Sequence, residues 1–360
     1  MREPRQFSQL TLSLLAVLAS FVVAVIVMLL TGINPLSFFV AIIRTMTGLD
    51  LKTMNFNARY IGEFLQMSLP IILAALAVGF AFKTGLFNIG AEGQVLMGSL
   101  GAVLCGIFFD LPMVIHLPLT ILAAALFGAL WAFIPGLLKA TFGISEVVVT
   151  IMFNYFALHL TGMIQRFIPG TWNQRTIDIL PSASLKSEFL RQLTGNSRLH
   201  WGIIIVIISI VIYHVVINKT IFGYELRAVG HNPHAAEYAG MKVRSRVILS
   251  MMISGAFAGL AGAMLVMGTF GYGRIIHGFE NYGFDGLAVA LLGANNALGI
   301  LLGGLLFGGL KTSQAMMQSQ GIPLEITQIV TGLIILFVAM QFALDRFFNR
   351  KRKEQDHGSN

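Results

Sequence analysis

Residues 248–267 read Ile248-Leu-Ser-Met-Met-Ile-Ser-Gly255-Ala-Phe-Ala-Gly259-Leu-Ala-Gly262-Ala-Met-Leu-Val-Met267. The stretch holds no charged residue, and its length of about 20 residues is that of a helix crossing the hydrocarbon core of a bilayer. Its glycines recur three or four residues apart, a spacing that lets helix backbones approach closely. The stretch therefore predicts a membrane-spanning helix in a tightly packed bundle.

The composition extends this prediction to the whole chain. Of its 360 residues, 56% are hydrophobic and only 11% are charged, whereas soluble domains carry about 25% charged residues. The formal net charge of +8 is that of basic cytoplasmic loops and tails under the positive-inside rule, so no nucleic-acid partner is expected. Cys105 is the only cysteine, which excludes an intrachain disulfide and a cysteine-based metal site.

The hydropathy pattern predicts an all-α integral membrane protein with about ten transmembrane helices. Ten spans place both termini on one side of the bilayer, and because both termini are basic we expect both in the cytoplasm. The chain is then a single transmembrane domain, 1–360, with a cytoplasmic loop at 218–247 and a basic tail at 346–360. The predicted spans are 10–31, 62–82, 88–109, 114–138, 146–167, 201–217, 248–270, 281–297, 299–318 and 325–345.

The short run 281–297 decides the parity of this topology. A re-entrant hairpin there would leave the basic C-terminal cluster outside the cell, so the charge pattern favours a real crossing. The run also shares a pattern with an earlier block, because Phe87-Asn88-Ile-Gly90 and Phe284-Asp285-Gly286 each precede a short apolar helix. In the ten-span topology the two blocks start on opposite sides, which predicts an inverted repeat of residues 62–167 and 248–345.

Polar residues within the apolar phase are the candidate lining of a translocation pathway. A carboxylate is costly near the bilayer interior, so Glu92 either faces a polar cavity or lies in the first turn of a helix capped by Asn88. Asn154 lies about two turns into a predicted span and either bonds across helices or contacts substrate. The candidates are Phe87, Asn88, Glu92, Gln94, Asn154, Phe284, Asp285 and Asn295.

Motifs for ATP binding and for hydrolysis are missing from the sequence. Gly309-Leu-Lys311-Thr312 lacks the glycine directly before lysine that a Walker A loop requires. The sequence contains neither His-Glu-x-x-His nor Gly-x-Ser-x-Gly. An embedded enzyme is therefore disfavoured, and no cofactor or metal is expected on this chain.

A polar segment at 222–241 interrupts the apolar runs and predicts a short helix at the cytoplasmic surface. Gly230 breaks the preceding element, Asn232 can cap a new helix, and Pro233 suits its first position. Gly240 can end that helix. Small apolar residues on one side of it suit insertion into a cleft on another protein, and a solvated connecting helix is the alternative.

The segment 227–240, followed by 254–262, resembles the permease subunits of bacterial ABC importers for ribose, other simple sugars and branched-chain amino acids. The blocks 85–94 and 146–155 resemble the nucleoside branch of that family, whose importers use a basic-membrane-protein-type lipoprotein as receptor. Membership implies two permease subunits, identical or homologous, that form the channel. It also implies two ATPase subunits beneath them and an external receptor that delivers substrate.

The same match implies where the ATPase acts and where ATP is bound. Each permease of the family offers a coupling helix to a cleft in an ATPase subunit, and ATP is bound by those partner subunits. The matching residues are Arg227, Asn232, Pro233, Ala235, Ala236, Tyr238, Ala239 and Gly240.

Three hypotheses follow from the sequence. The leading hypothesis is a permease subunit of an ATP-driven nucleoside importer in the bacterial cell membrane. The second is the same machine for a simple sugar or another small polar solute. The third is an ion-coupled secondary transporter, which would need no ATPase-docking helix, so co-purification with an ATPase separates it from the other two.

Overall fold

The computed structural model describes residues 9–51, 54–338 and 340, and most of these residues are helical. A 3₁₀ turn occupies Pro181–Ala183, and a π-helical segment, Met264–Phe270, continues the eleventh helix. Two strands, β1 (Arg175–Asp178) and β2 (Tyr272–Arg274), pair antiparallel. The helices are α1 (Gln9–Leu30), α2 (Pro35–Thr47), α3 (Ala58–Lys83), α4 (Ala91–Phe108), α5 (Met113–Phe142), α6 (Glu146–Arg166), α7 (Glu188–Leu193), α8 (Gly202–Lys219), α9 (Ile221–His231), α10 (Pro233–Tyr238), α11 (Val243–Ala263), α12 (Tyr282–Leu292), α13 (Ala297–Ser319) and α14 (Leu324–Val338).

Among the described residues, 6 helices are long and apolar enough to cross a membrane: α3, α4, α5, α6, α8 and α11 with its π-helical continuation. Shorter apolar helices occupy Leu14–Leu30, α2, α12 and α14. The membrane character and the all-helical class predicted from sequence agree with this architecture. The basic tail at 346–360 and the first residues of the chain lie outside the described ranges.

Helix α3 forms the centre of the bundle. Every residue from Ser68 to Ala81 is buried, and the helix packs against α8, α11, α12 and α13. Helix α11 packs in turn against α4 and α5. The glycines identified in the sequence lie at these crossings, since a Cβ built on Gly259 would stand 2.2 Å from the carbonyl oxygen of Ala124. Glycine there permits near-contact between the backbones of α11 and α5.

The two ends of α3 identify two opposite ends of the molecule. With 26 residues, the helix is about 39 Å long. Near its first turn, Glu63 pairs with Arg198 of the 168–200 segment at 2.9 Å. Beyond its last residue, Gly85 lies against Gly230 of the 218–247 loop. The segment and the loop therefore lie at opposite ends of the bundle.

The run 281–297 does not form the single membrane-spanning helix that the sequence predicts. Helix α12 has 11 residues and is about 16 Å long, too short to cross a hydrocarbon core of about 30 Å. The chain nevertheless passes from one end of the bundle to the other in this region. Gly271 accepts a hydrogen bond from Ile179 in the 168–200 segment, whereas Asn295 lies beside Gly79 near the opposite end of α3. An irregular stretch covers the first half of that passage, and α12 covers the second.

Candidate functional site

Helix α4 begins inside the bundle. Residues 84–90 turn inward from the end of α3 without forming a helix. The Asn88 amide donates to Ser254 Oγ at 2.8 Å, and that hydroxyl donates to the carbonyl of Ala77, well inside the end of α3. From Ala91, α4 runs toward the 168–200 segment, where Gly106 accepts a hydrogen bond from Leu180.

Helix α12 also begins inside the bundle and runs in the opposite direction. Gly286, in its second turn, packs against the backbone of Ala74 in the middle of α3, and the helix ends near Gly79. The N-termini of α4 and α12 therefore face each other within the bundle. Each N-terminus carries N–H groups that have no acceptor within their own helix, together with a partial positive charge, which makes such a pair a favourable environment for an anionic or electron-rich group.

Glu92 lies between these two N-termini. Its carboxylate accepts backbone hydrogen bonds from Glu280 at 3.1 Å, from Asn281 at 3.0 Å and from Gly283 at 2.5 Å. Asn281, the residue before α12, has φ +66° and provides no side-chain cap, so a carboxylate from α4 caps α12. Glu92 lies in the first turn of α4, as the helix-end alternative expected, and it also lines a small cavity. In addition it caps the neighbouring helix α12.

The closeness of the two helix starts depends on glycine. A Cβ on Gly283 would stand 2.2 Å from the backbone nitrogen of Glu92, closer than any real contact. Only a residue without a side chain lets α12 approach the first turn of α4, so the geometry of the site requires glycine at position 283.

Asn88 does not cap α4, contrary to the sequence-based alternative. Its Oδ1 accepts from the Gly90 backbone at 3.0 Å, while its amide reaches across to α11. Gln94 completes this network by accepting from the Asn88 amide at 3.0 Å. Asn154 joins α6 to α4, accepting from Gly93 at 2.8 Å and donating to the Ile89 carbonyl at 3.0 Å. These contacts support the interhelical alternative for Asn154.

The helices α4 and α12, which both begin inside the bundle, are called the half-helices below. Phe87 lies in the turn before α4, and Asn295 lies in the turn after α12. The Phe87 ring packs edge-on against Phe82, with centroids 5.0 Å apart, and its backbone N–H points toward Glu146 at 3.4 Å. The Asn295 carbonyl accepts from the Tyr213 hydroxyl at 2.8 Å. Its side-chain Oδ1 is buried without a hydrogen-bond partner among the described residues.

Three charged residues near Glu92 were not identified from the sequence: Lys311, Arg274 and Glu280. Lys311 of α13 donates to Asp285 at 2.8 Å and to the Glu280 carbonyl at 3.0 Å. Arg274 of β2 forms an ion pair with the Glu280 carboxylate. Charged residues in or beside apolar spans are rare and functional by default, and Lys311 within 299–318 carried that signal in the sequence.

Two cavities adjoin this charged set. A small cavity of about 30 Å³ is lined by Glu92, Arg274, Glu280, Thr161 and Gln165, among others, and is large enough for ordered water. A larger cavity of about 530 Å³ lies between α12, α13 and α14, and Phe284 and Asp285 line it. Asn88, Gln94 and Asn154 line neither of these two cavities.

At the other end, the 218–247 loop forms the helix that its sequence predicts. Asn232 Oδ1 accepts from the backbone N–H groups of His234 and Ala235, both at 3.1 Å, and Pro233 occupies the first position of α10. Gly240 follows the helix with φ +81°, a left-handed conformation that favours glycine.

One of the residues expected on the outward-facing side of α10, Ala236, faces inward instead. Ala236 is only 3% exposed and packs with Ala81, Leu86, Val229 and Met251 of its own chain, so it is not available to a cleft on a partner. Tyr238 is 97% exposed, and Pro233, Ala235 and Ala239 are exposed beside it. Arg227, on α9, donates back to the Gly223 carbonyl at 3.4 Å.

Half-helices that meet inside a bundle of apolar helices are typical of membrane transport proteins. Comparison with known proteins agrees: residues 60–339 match the family described as the permease component of the branched-chain amino acid transport system, and the chain belongs to that family. Its members are transport subunits.

Three curated relatives are similar over nearly the full chain. The guanosine ABC transporter permease protein NupP of Bacillus subtilis is 47% identical over 98% of this chain and 99% of that protein. The nucleoside ABC transporter permease protein NupB of Lactococcus lactis is 40% identical over 92% of this chain and 91% of that protein. The glucose ABC transporter permease protein TsgB13 of Haloferax volcanii is 32% identical over 94% of this chain and 88% of that protein.

Proposed function

We propose that this chain is the permease subunit of an ATP-driven ABC importer that carries nucleosides across the bacterial cell membrane. The observation that carries the proposal is the near-full-length similarity to two permeases named for guanosine and nucleosides, at 47% and 40% identity. The lower identity of 32% to a permease named for glucose makes a simple sugar the second candidate substrate.

The translocation pathway runs past the facing half-helices, where Glu92, Phe284 and Asp285 lie. The packing is reciprocal, because α4 contacts α11 while α12 contacts α3, and α5 contacts α11 while α13 contacts α3. This exchange of partners is what an inverted repeat of 62–167 and 248–345 would produce. In the resulting ten-crossing topology, residues 271–292 cross the membrane as an irregular segment followed by the short helix α12. Both termini are then cytoplasmic.

Energy enters at the 218–247 loop. Among the described residues, the exposed part of α10 that includes Tyr238 is the coupling surface offered to the ATPase subunit, and Arg227 flanks it. Asn232, Pro233 and Gly240 shape that helix, while Ala236 anchors it to the permease core. Transmission requires the ATPase to bind the two conformations of the permease with different affinity.

The complete importer would contain further subunits. A second permease, identical or homologous, completes the channel, and two ATPase subunits hold the ATP, so this chain binds no cofactor. An extracytoplasmic substrate-binding lipoprotein delivers the nucleoside to the end of the bundle formed by the 168–200 segment.

Uptake by cells expressing the complete importer tests the substrate. We expect radiolabelled guanosine to accumulate and an excess of unlabelled glucose to leave that uptake unchanged. Accumulation of labelled glucose without accumulation of guanosine would favour the sugar candidate and reject the nucleoside.

A further inference from the structure

The cavity between α12, α13 and α14 has the size and wall of a small-molecule site. Its volume is about 530 Å³, within the range that holds drug-sized ligands. The wall combines the ring of Phe284 with the polar side chains of Asp285, Lys311, Gln314 and Gln328. A planar ligand with several hydrogen-bonding groups matches this mixture of an aromatic face and polar atoms.

The charges around the cavity are already paired with one another. Lys311 contacts Asp285 at 2.8 Å, and Arg274 pairs with Glu280. With Glu92, three carboxylates and two cations give the group a net formal charge of −1. The Glu92 charge is compensated by backbone N–H groups, so none of these cations is left to bind an anion.

This charge balance discriminates between ligands. A phosphate ester carries about −1.5 to −2 charges at neutral pH, and bringing it beside paired carboxylates in a low-dielectric bundle is strongly unfavourable. A neutral ligand meets no such penalty.

Two amide side chains on the wall are available to a ligand. Gln314 on α13 and Gln328 on α14 make no side-chain hydrogen bond to any residue within the described part of the chain. Each amide offers one acceptor and two donors, a pattern that pairs with the polar edge of a purine base. The ring of Phe284, half-buried in the same wall, can stack on the base.

We infer that this cavity binds the neutral nucleoside during transport and rejects phosphorylated nucleosides. Gln314 and Gln328 bind the polar edge of the ligand, Phe284 packs on its face, and the Asp285–Lys311 pair sets the charge selectivity. This inference rests on the nucleoside transport proposed above and adds the site and the discrimination.

The first test uses the complete importer in proteoliposomes with radiolabelled guanosine. Gln314→Leu keeps the volume of the side chain and removes its hydrogen bonds, so the guanosine concentration for half-maximal uptake should rise about three- to tenfold. Gln318→Leu is the control, because Gln318 is exposed on the same helix and does not line the cavity. Equal uptake by Gln314→Leu and the unsubstituted importer would overturn the assignment, as would an equal loss in Gln318→Leu.

The second test concerns charge. With the receptor saturated by guanosine, a hundredfold excess of guanosine 5′-monophosphate, roughly two negative charges per molecule, should not inhibit uptake by the unsubstituted importer. Asp285→Asn frees the Lys311 ammonium, so the monophosphate should now inhibit competitively. Inhibition of the unsubstituted importer contradicts the charge selectivity, and this arm decides the question even if Asp285→Asn fails to assemble.

The outcomes separate this inference from the proposed function. An importer that takes up no guanosine rejects nucleoside transport and the cavity assignment together. An importer that takes up guanosine normally with Gln314→Leu in place rejects the cavity assignment alone.

Discussion

Glu92 shows how a single carboxylate can be stable among apolar helices. Its charge is balanced by three backbone N–H groups at the start of α12 and by the partial positive charge at the start of its own helix. Hydrogen bonds to a charged group contribute about 1.5–3 kcal/mol each, so the side chain holds the two half-helices together.

We expect Glu92→Gln to destabilise the protein by about 2–3 kcal/mol, because the amide nitrogen of glutamine would face backbone N–H donors. The measurement is thermal unfolding of the purified protein in detergent, together with guanosine uptake. Glu188→Gln, an exposed carboxylate on α7, is the control and should change neither quantity. Unfolding of Glu92→Gln at the unchanged temperature would show that the cap adds no stability.

His200 gives the fold a defined response to acid. The ring is fully buried, its Nδ1 accepts from the Gly202 backbone at 3.1 Å, and its Nε2 has no partner among the described atoms. Burial, and then the nearby charge of Lys186, lower the pKa of His200 from 6.5 to about 4. The unfolded chain therefore takes up the proton first as the pH falls below about 6.5.

Stability should consequently decrease between pH 6.5 and pH 4, by about 2 kcal/mol at pH 5. Unfolding temperatures of the purified protein at pH 7.5 and pH 5 measure this change. In His200→Asn the part of the decrease due to this residue should disappear. An equally steep pH dependence in His200→Asn would mean that other groups cause it.

At the scale of elements, the crossing of α11 with α4 and α5 depends on the absence of side chains. A Cβ on Gly98 would stand 2.3 Å from the Gly259 Cα, and one on Gly128 would stand 2.2 Å from the Gly255 carbonyl oxygen. The neighbouring atoms are backbone, so they cannot rotate away. The helices must move apart if any of these glycines gains a methyl group.

Gly259→Ala should therefore cost about 1–3 kcal/mol and lower the yield of folded protein from the membrane. Gly162→Ala on α6 is the matched control, because its added Cβ would meet only Ile275 at 3.8 Å and should have little effect. Fluorescence-detected size-exclusion chromatography after heating compares the two. Similar melting of both variants would contradict the close-packing argument.

Helix α10 is short, so the proposed coupling to an ATPase should depend on its N-cap. Asn232→Ala removes an N-cap worth about 1 kcal/mol and should let the helix fray, whereas Asn232→Asp keeps the acceptor oxygen. We expect ATP-driven uptake to fall severalfold in the alanine variant and to persist in the aspartate variant, with equal amounts of both in the membrane. Equal uptake by the two variants would argue against a coupling role for the capped helix.

Local signals predicted α10 well, and non-local contacts explain what sequence reasoning missed. Asn232, Pro233 and Gly240 act on neighbouring residues, so their order along the chain is sufficient. The partners of Glu92 are 188 to 191 residues away, and no local pattern reveals them. The sequence suggested Asn88 as a helix cap because its real partner, Ser254 of α11, is also far away along the chain.

Across the whole protein, α3 joins the two ends to which the proposed function gives separate roles. The 218–247 loop packs at the Lys83 end, and the 168–200 segment packs at the Glu63 end. Helices α4 and α12 begin between these ends and run apart. In the proposed importer, a shift of α10 against Ala81 and Met251 would reach the starts of both half-helices through α3 and α11.

The most direct test of the account is guanosine uptake by proteoliposomes that contain the complete importer, with and without ATP on the ATPase side. We expect accumulation against a gradient with ATP, and none with a non-hydrolysable analogue or with an ATPase subunit that cannot hydrolyse ATP. Accumulation that follows an imposed proton or sodium gradient and does not depend on ATP would contradict ATP-driven transport by this permease.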